Sequence, residues 1–202
     1  MGNIGDVRFA PGAVVFHSYP YPGARVYPSG EVAWSEVEEV DPDAAPPELR
    51  VRGETLFISA THKDELRRAA EAHGVPSVPR VDVWDLLLEP FIDTTFDEAD
   101  QERTLDRLEQ NGIPRDEAAA IRATVRKPML AYNSIIWDWV HLGMYDLLSA
   151  HLHLRRTVSE AAFVEFYRWA QEIAQRAGIN EWVIARRAAQ SSGAGGDEDA
   201  SR

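Results

Sequence analysis

The 202-residue chain contains no cysteine. Disulfides, thiolate nucleophiles and zinc–thiolate centres are thereby excluded. Lysine is nearly missing too: of 21 basic residues only Lys63 and Lys127 are lysines, and the rest are arginine. With abundant Ala, Asp and Glu, that bias is in keeping with a GC-rich bacterial coding sequence. Positive charge is short overall, giving a net charge of −12 with histidine neutral. Such a field repels phosphate and disfavours nonspecific attraction to nucleic acid or anionic membrane. No apolar run approaches the ~20 residues of a membrane span. The first residues lack a basic segment, the apolar run Ala13 to Phe16 is too short for a signal sequence, and Asp6 stands where a myristoylation signal wants Ser or Thr. The expectation is a cytoplasmic protein without membrane association.

What is present supports a real core, since 45% of the residues are apolar. The patterning predicts an α+β fold: an N-terminal antiparallel sheet of about four or five strands packed with a C-terminal helical bundle. Residues 1–76 read as a β-rich region with one helix, 77–190 as helical and integrated with it, and 191–202 as a disordered acidic tail. Strands are expected over 13–17, 24–27 and 31–40, and a hairpin over 49–59 turning at Gly53-Glu54. Alternation in "TLFIS" places Leu56 and Ile58 on one face and Phe57 on the other, so both faces there are expected to be covered. The Tyr/Pro stretch 19–30 has no PxxP spacing and reads as an aromatic-anchored loop, with a cis Tyr-Pro bond in prospect. The acids Glu31, Glu36, Glu38, Glu39, Asp41 and Asp43 read as a solvated strand face and loop.

Helices begin at Thr61, which stands as cap with Asp64 in the capping-box position, and the first is stopped by Gly74. A short apolar element over 81–91 ends at Pro90, with Asp82, Asp85 and Glu89 away from Trp84, Leu87 and Leu88. The acids Asp93, Asp97, Glu98, Asp100 and Glu102 lack the ligand order of a calcium loop and suit a helix N-terminus. Pro128 must break, kink or start a helix. A capping box at Thr157 to Glu160 opens the next helix, and a last short helix runs to Gln190.

Chemistry concentrates in Ile135 to Leu154, "IIWDWVHLGMYDLLSAHLHL". Read as one helix from Met129 to Leu154, this segment is apolar nearly all round, as a central bundle helix is. A narrow polar stripe remains: Ser134, Asp138, His141, Tyr145 and Ser149. Asp138 and His141 stand at i, i+3, with Tyr145 one turn on. The favoured reading is a structural Asp–His–Tyr network. The alternative is an acid–base site on Asp138, His141 and Tyr145, or a divalent-metal site drawing on Asp138, His141, His151 and His153.

A second motif, "EIAQRAGINEWVIARRAA" (172–189), resembles a helix-turn-helix. Ala174, Gly178 and Ile184 take its small, turn and apolar positions. The resemblance implies DNA binding through Asn180, Glu181, Arg186 and Arg187. The acidic total and the late arginines favour a packing hairpin instead. No nucleophile, phosphate loop or complete ligand set appears. The leading expectation is a non-enzymatic protein–protein interaction or regulatory module, with a protein partner or self-association and no cofactor. A metal-dependent or acid–base enzyme comes second, and a DNA-binding regulator third.

Overall fold

The computed structural model describes residues 4, 6–92, 98–136, 141–153 and 159–193, with 133–136 and 190–193 described through their backbone only. The fold is α+β. Strands β1 (Val7–Phe9), β2 (Ala13–Phe16) and β3 (Gly30–Ala33) form one antiparallel sheet in that order. A second antiparallel sheet holds β4 (Val37–Asp41), β5 (Glu48–Val51) and β6 (Glu54–Phe57). The segment 31–40 is thus two strands in two sheets rather than one. The break is a 3₁₀ turn at Trp34–Glu36, anchored by buried Trp34, whose indole Nε1 donates to the Ala10 carbonyl at 3.0 Å.

Residues 24–27 form turns rather than a strand, with a cis bond at Tyr27–Pro28. Tyr19 and Tyr21 from this loop are buried in the core as anchors. The β5–β6 hairpin turns at Arg52-Gly53, one residue before the expected position. Both take positive φ, 47° and 74°, the twist that two-residue hairpins favour. Leu56, Phe57 and Ile58 are all buried, so both faces of the sheet are covered there.

Among the described residues seven α-helices follow: α1 (Lys63–Ala72), α2 (Val83–Leu88), α3 (Glu98–Gln110), α4 (Arg115–Ile136), α5 (Met144–His153), α6 (Glu160–Ala174) and α7 (Glu181–Gly193). Thr61 does not cap α1; its hydroxyl meets Ser59, while His62 takes the cap position without a side-chain capping bond, its ring meeting Glu65 instead. Gly74 stops α1 in the left-handed region at φ 68°. Ser159 caps α6 through the Ala162 N–H, and Thr157 lies outside the described residues. Pro128 sits inside α4 without ending it. Helix α7 runs to Gly193, three residues into the expected tail, and 194–202 lie outside the described residues.

One cluster of buried apolar residues spans the N-terminal sheets and the helices. Polar contacts tie the halves as well. Gln171 of α6 lays its side-chain amide along the edge strand β6, accepting from Thr55 N–H at 3.0 Å and donating to Thr55 C=O at 2.9 Å. Tyr21 and Ser149 share a buried hydrogen bond of 2.9 Å.

Candidate functional site

Facing residues in an antiparallel pair place their side chains on one side of the sheet. Asp41 pairs with Glu48 and Glu39 with Arg50, while Glu48 pairs with Phe57 and Arg50 with Thr55. One face of the second sheet therefore carries Glu39, Asp41, Glu48, Arg50, Thr55 and Phe57. Such a polar face would ordinarily meet water. Here the 76–83 segment, α5, α6 and α7 cover it, and Glu39, Asp41, Arg50 and Thr55 are buried. Glu39 and Asp41 are thus not on a solvated strand face, as their sequence setting implies.

The covering is incomplete. Between the sheet and the helices lies a cleft of about 410 Å³, within the range of small-molecule sites. Glu48, Arg50, Thr55 and Phe57 come to it from the sheet. Arg80, Asp82 and Asp85 come from the start of α2, and His141, Met144 and Tyr145 from the entry to α5. An adjoining depression shares Val81, Arg107 and Asn180 with it.

The acidic corner is rigidly built. Asp82 is the N-cap of α2, its Oδ1 accepting from Trp84 N–H at 2.9 Å and Asp85 N–H at 3.1 Å. Helix α2 is itself fixed, because Trp84 Nε1 donates to the Ala170 carbonyl and Arg122 donates to the Leu86 and Leu87 carbonyls. His141 places Nδ1 2.9 Å from Asp85 Oδ1. Residue 143 is best filled by glycine, since a Cβ would stand 2.5 Å from Asp82 Oδ2 and push that carboxyl aside. The Gly143 N–H donates to Asp146 Oδ2 at 3.0 Å, the acid of the first turn reaching back as in a capping box.

That contact also explains why Met129–Leu154 is not one helix. Residues 141–143 are non-helical and α5 begins afresh at Met144. His141 thus pairs across the fold with Asp85 instead of sitting on a helical stripe. Asp138, the expected partner, lies outside the described residues. Tyr145 does reach the cleft, packed edge-on against Tyr21 and Phe57. His151 stacks on Phe166 with ring centroids 3.7 Å apart, and burial lowers its pKa. His153 bonds the Ser149 carbonyl through Nδ1 at 2.7 Å. Neither lines the cleft. Among the described residues no group of three or more His, Asp or Glu side chains is placed to hold a metal.

The charges of the cleft are unevenly satisfied. Glu39 takes Arg80 in a two-point pair and Arg50 Nε at 3.4 Å, the latter an ion pair without hydrogen-bond geometry. Arg187 holds Asp41 at 3.0 Å. Asp43 has Lys63 and Arg67, which outweigh its partial burial and hold its pKa down at about 2. Glu48 has no hydrogen bond or ion pair among the described residues. Burial, with Asp82 nearby, pushes its carboxyl up to about 8. Asp82 stays open to the cleft, yet protein displaces bulk water around it and Asp85 repels its charge, pushing it up to about 6. His141 is held protonated up to about 9 by its bond to Asp85. Near neutral pH the cleft thus combines a protonated carboxyl, a mostly ionised one and an imidazolium.

Sequence reasoning singled out His141 and Tyr145 but missed Glu48, Asp82 and Asp85. The Asp82 cap before an apolar helix was legible; the burial of Glu48 depends on helices folding over the sheet. The turn of the helix-turn-helix-like stretch is stitched to the 79–81 segment, with Val81 N–H donating to Gly178 C=O and Asn180 N–H to Pro79 C=O. Ile184, expected to pack between the two helices, is 44% exposed. Comparisons with models of known protein families, with curated proteins and with solved structures find no match.

Proposed function

We propose that the protein binds a small polar molecule in this cleft and carries out acid–base chemistry on it. The observation that supports this reading is the meeting of Glu48, Asp82 and His141, brought from three separate elements to one cavity. Two carboxyls whose surroundings drive their proton affinities apart are the pattern of an acid and a base. In this reading Asp82 accepts a proton and protonated Glu48 donates one. His141, oriented by Asp85, supplies a fixed positive charge beside them. Met144, Phe57 and Tyr145 supply the apolar part of its lining. The setting is a bacterial cytoplasm, in keeping with the arginine-rich, cysteine-free composition; among the described residues no helix is long and apolar enough to cross a membrane.

The test is a screen of small polar metabolites by thermal shift, followed by mass and NMR analysis of incubated mixtures. The reading expects at least one compound that stabilises the wild type, is chemically altered by it, and is left unaltered by Asp82→Asn. Absence of any such compound, or equal turnover by the Asp82→Asn, Glu48→Gln double variant, contradicts it.

A second reading, a protein-interaction module, is favoured by one observation. Ile179, Trp182 and Ile184 are 51%, 67% and 44% exposed at the start of α7. Ile179 and Trp182 both line the adjoining depression, and exposed large apolar side chains are a feature of interaction sites. Sedimentation of the wild type and Trp182→Ser tests it: a concentration-dependent dimer lost in the variant supports self-association, and monomers throughout leave only a different partner.

A further inference from the structure

The unmatched polar groups of the cleft say what kind of molecule it suits. The arginines that line it are already engaged, with one exception. Arg50 donates to the Ala174 carbonyl and to Gln175, Arg80 to Glu39 and the Ala177 carbonyl, and Arg187 to Asp41. The exception is Arg107, exposed where the cleft meets the adjoining depression and without a partner among the described residues. On the acidic side Asp41, Asp43 and Asp85 are taken by Arg187, Lys63 and His141. The Glu48 carboxyl has no hydrogen bond or ion pair among the described residues, and Asp82, with the His141 charge nearby, takes hydrogen bonds only from backbone N–H groups, at Oδ1. A further polar atom points to an occupant. Thr55 is 2% exposed, lines the cleft, and its Oγ1 is buried with no hydrogen bond. An unsatisfied buried hydroxyl is costly unless something else completes it.

Resting on the reading of the cleft as a small-molecule site, we propose that it takes a compact zwitterion. A protonated amine lies between Glu48 and Asp82, and a carboxylate reaches toward Arg107. The amine offers several N–H donors, enough for both carboxyls and the Thr55 hydroxyl together. Phe57 and Tyr145, which line the same cleft, suit the alkyl chain. An anion alone would meet Asp82 with like charge, and an amine alone would leave Arg107 unanswered.

Three probes of equal chain length separate the contributions: γ-aminobutyrate, butylamine and butyrate, each titrated into the full chain while amide and imidazole NMR signals are followed. The expected result is saturable shifts at Thr55 and His141 in the millimolar range, with γ-aminobutyrate binding tightest and butyrate weakest. Asp82→Asn and Arg107→Ala are each expected to weaken γ-aminobutyrate roughly tenfold, the scale of one lost charge contact. Arg186→Ala, outside the cleft, serves as control. Butyrate binding as tightly as butylamine, or an Arg107→Ala variant that binds γ-aminobutyrate as the wild type does, overturns the zwitterion while leaving the cleft as the site. If none of the three shifts a cleft signal, the inference falls, and the metabolite screen decides separately on the cleft.

Discussion

Replacing Glu48 by Gln should make the protein more stable, and only above acidic pH. Glutamine keeps the shape of the protonated acid and cannot ionise. In the folded chain the Glu48 carboxyl titrates at about 8, against an ordinary value of 4.5. Below the ordinary value the folded and unfolded states are both protonated, and the side chain costs nothing. As pH rises toward 8 the unfolded chain gives up its proton first, so folding is progressively opposed; above 8 the full penalty applies. If burial were total, that shift would correspond to roughly 4–5 kcal/mol. Glu48 is only partly buried, so a gain of ~1–3 kcal/mol for Glu48→Gln is expected. The assay is urea unfolding of both proteins at about pH 4 and about pH 9, on either side of the titration. Equal stability at the acidic pH and a more stable variant at the alkaline pH is the expected result. A variant less stable at the alkaline pH, or one equally stabilised at both, refutes the placement of this carboxyl.

Other expectations follow from the same contacts. Gln171→Ala strips the Thr55 N–H and C=O of their partners, and two unsatisfied buried backbone groups should cost ~2–4 kcal/mol in chemical unfolding; a loss under half a kilocalorie would mean that water replaces the amide. Gly143→Ala drives a methyl into Asp82 Oδ2 and should cost ~1–3 kcal/mol while abolishing turnover of any compound found in the screen. Wild-type activity in that variant would show the Asp82 position to be unimportant. No duplex DNA binding is expected at physiological salt, because the chain is acidic and Arg187 is engaged by Asp41. Submicromolar, salt-sensitive binding lost in an Arg186→Ala, Arg187→Ala variant would contradict that.

The α+β class was legible because periodicity reports which face of an element is buried, and the alternation at Leu56 and Phe57 did so correctly. Turns carried by one residue were also legible, as at Gly74. The site was legible only in part. Apolar periodicity ran through Leu142 and Gly143, so a continuous helix looked natural, and the local signal against it was the Gly143–Asp146 cap. Once the chain breaks there, His141 meets Asp85, more than fifty residues earlier in sequence. The run of acids near β4 gave the opposite lesson. Alternating acids on a strand usually mean solvent, and only the covering helices turn Glu39 and Asp41 inward. Burial of that kind is decided by tertiary packing, which local pattern does not record.

At neutral pH one cleft holds a protonated carboxyl, Glu48, near a mostly ionised one, Asp82. Side-chain carboxyl NMR of the full chain, titrated with pH and assigned through Glu48→Gln and Asp82→Asn, measures it directly. Midpoints of about 8 for Glu48 and about 6 for Asp82 are expected. Midpoints for both in the ordinary carboxylate range, near 4, would contradict it.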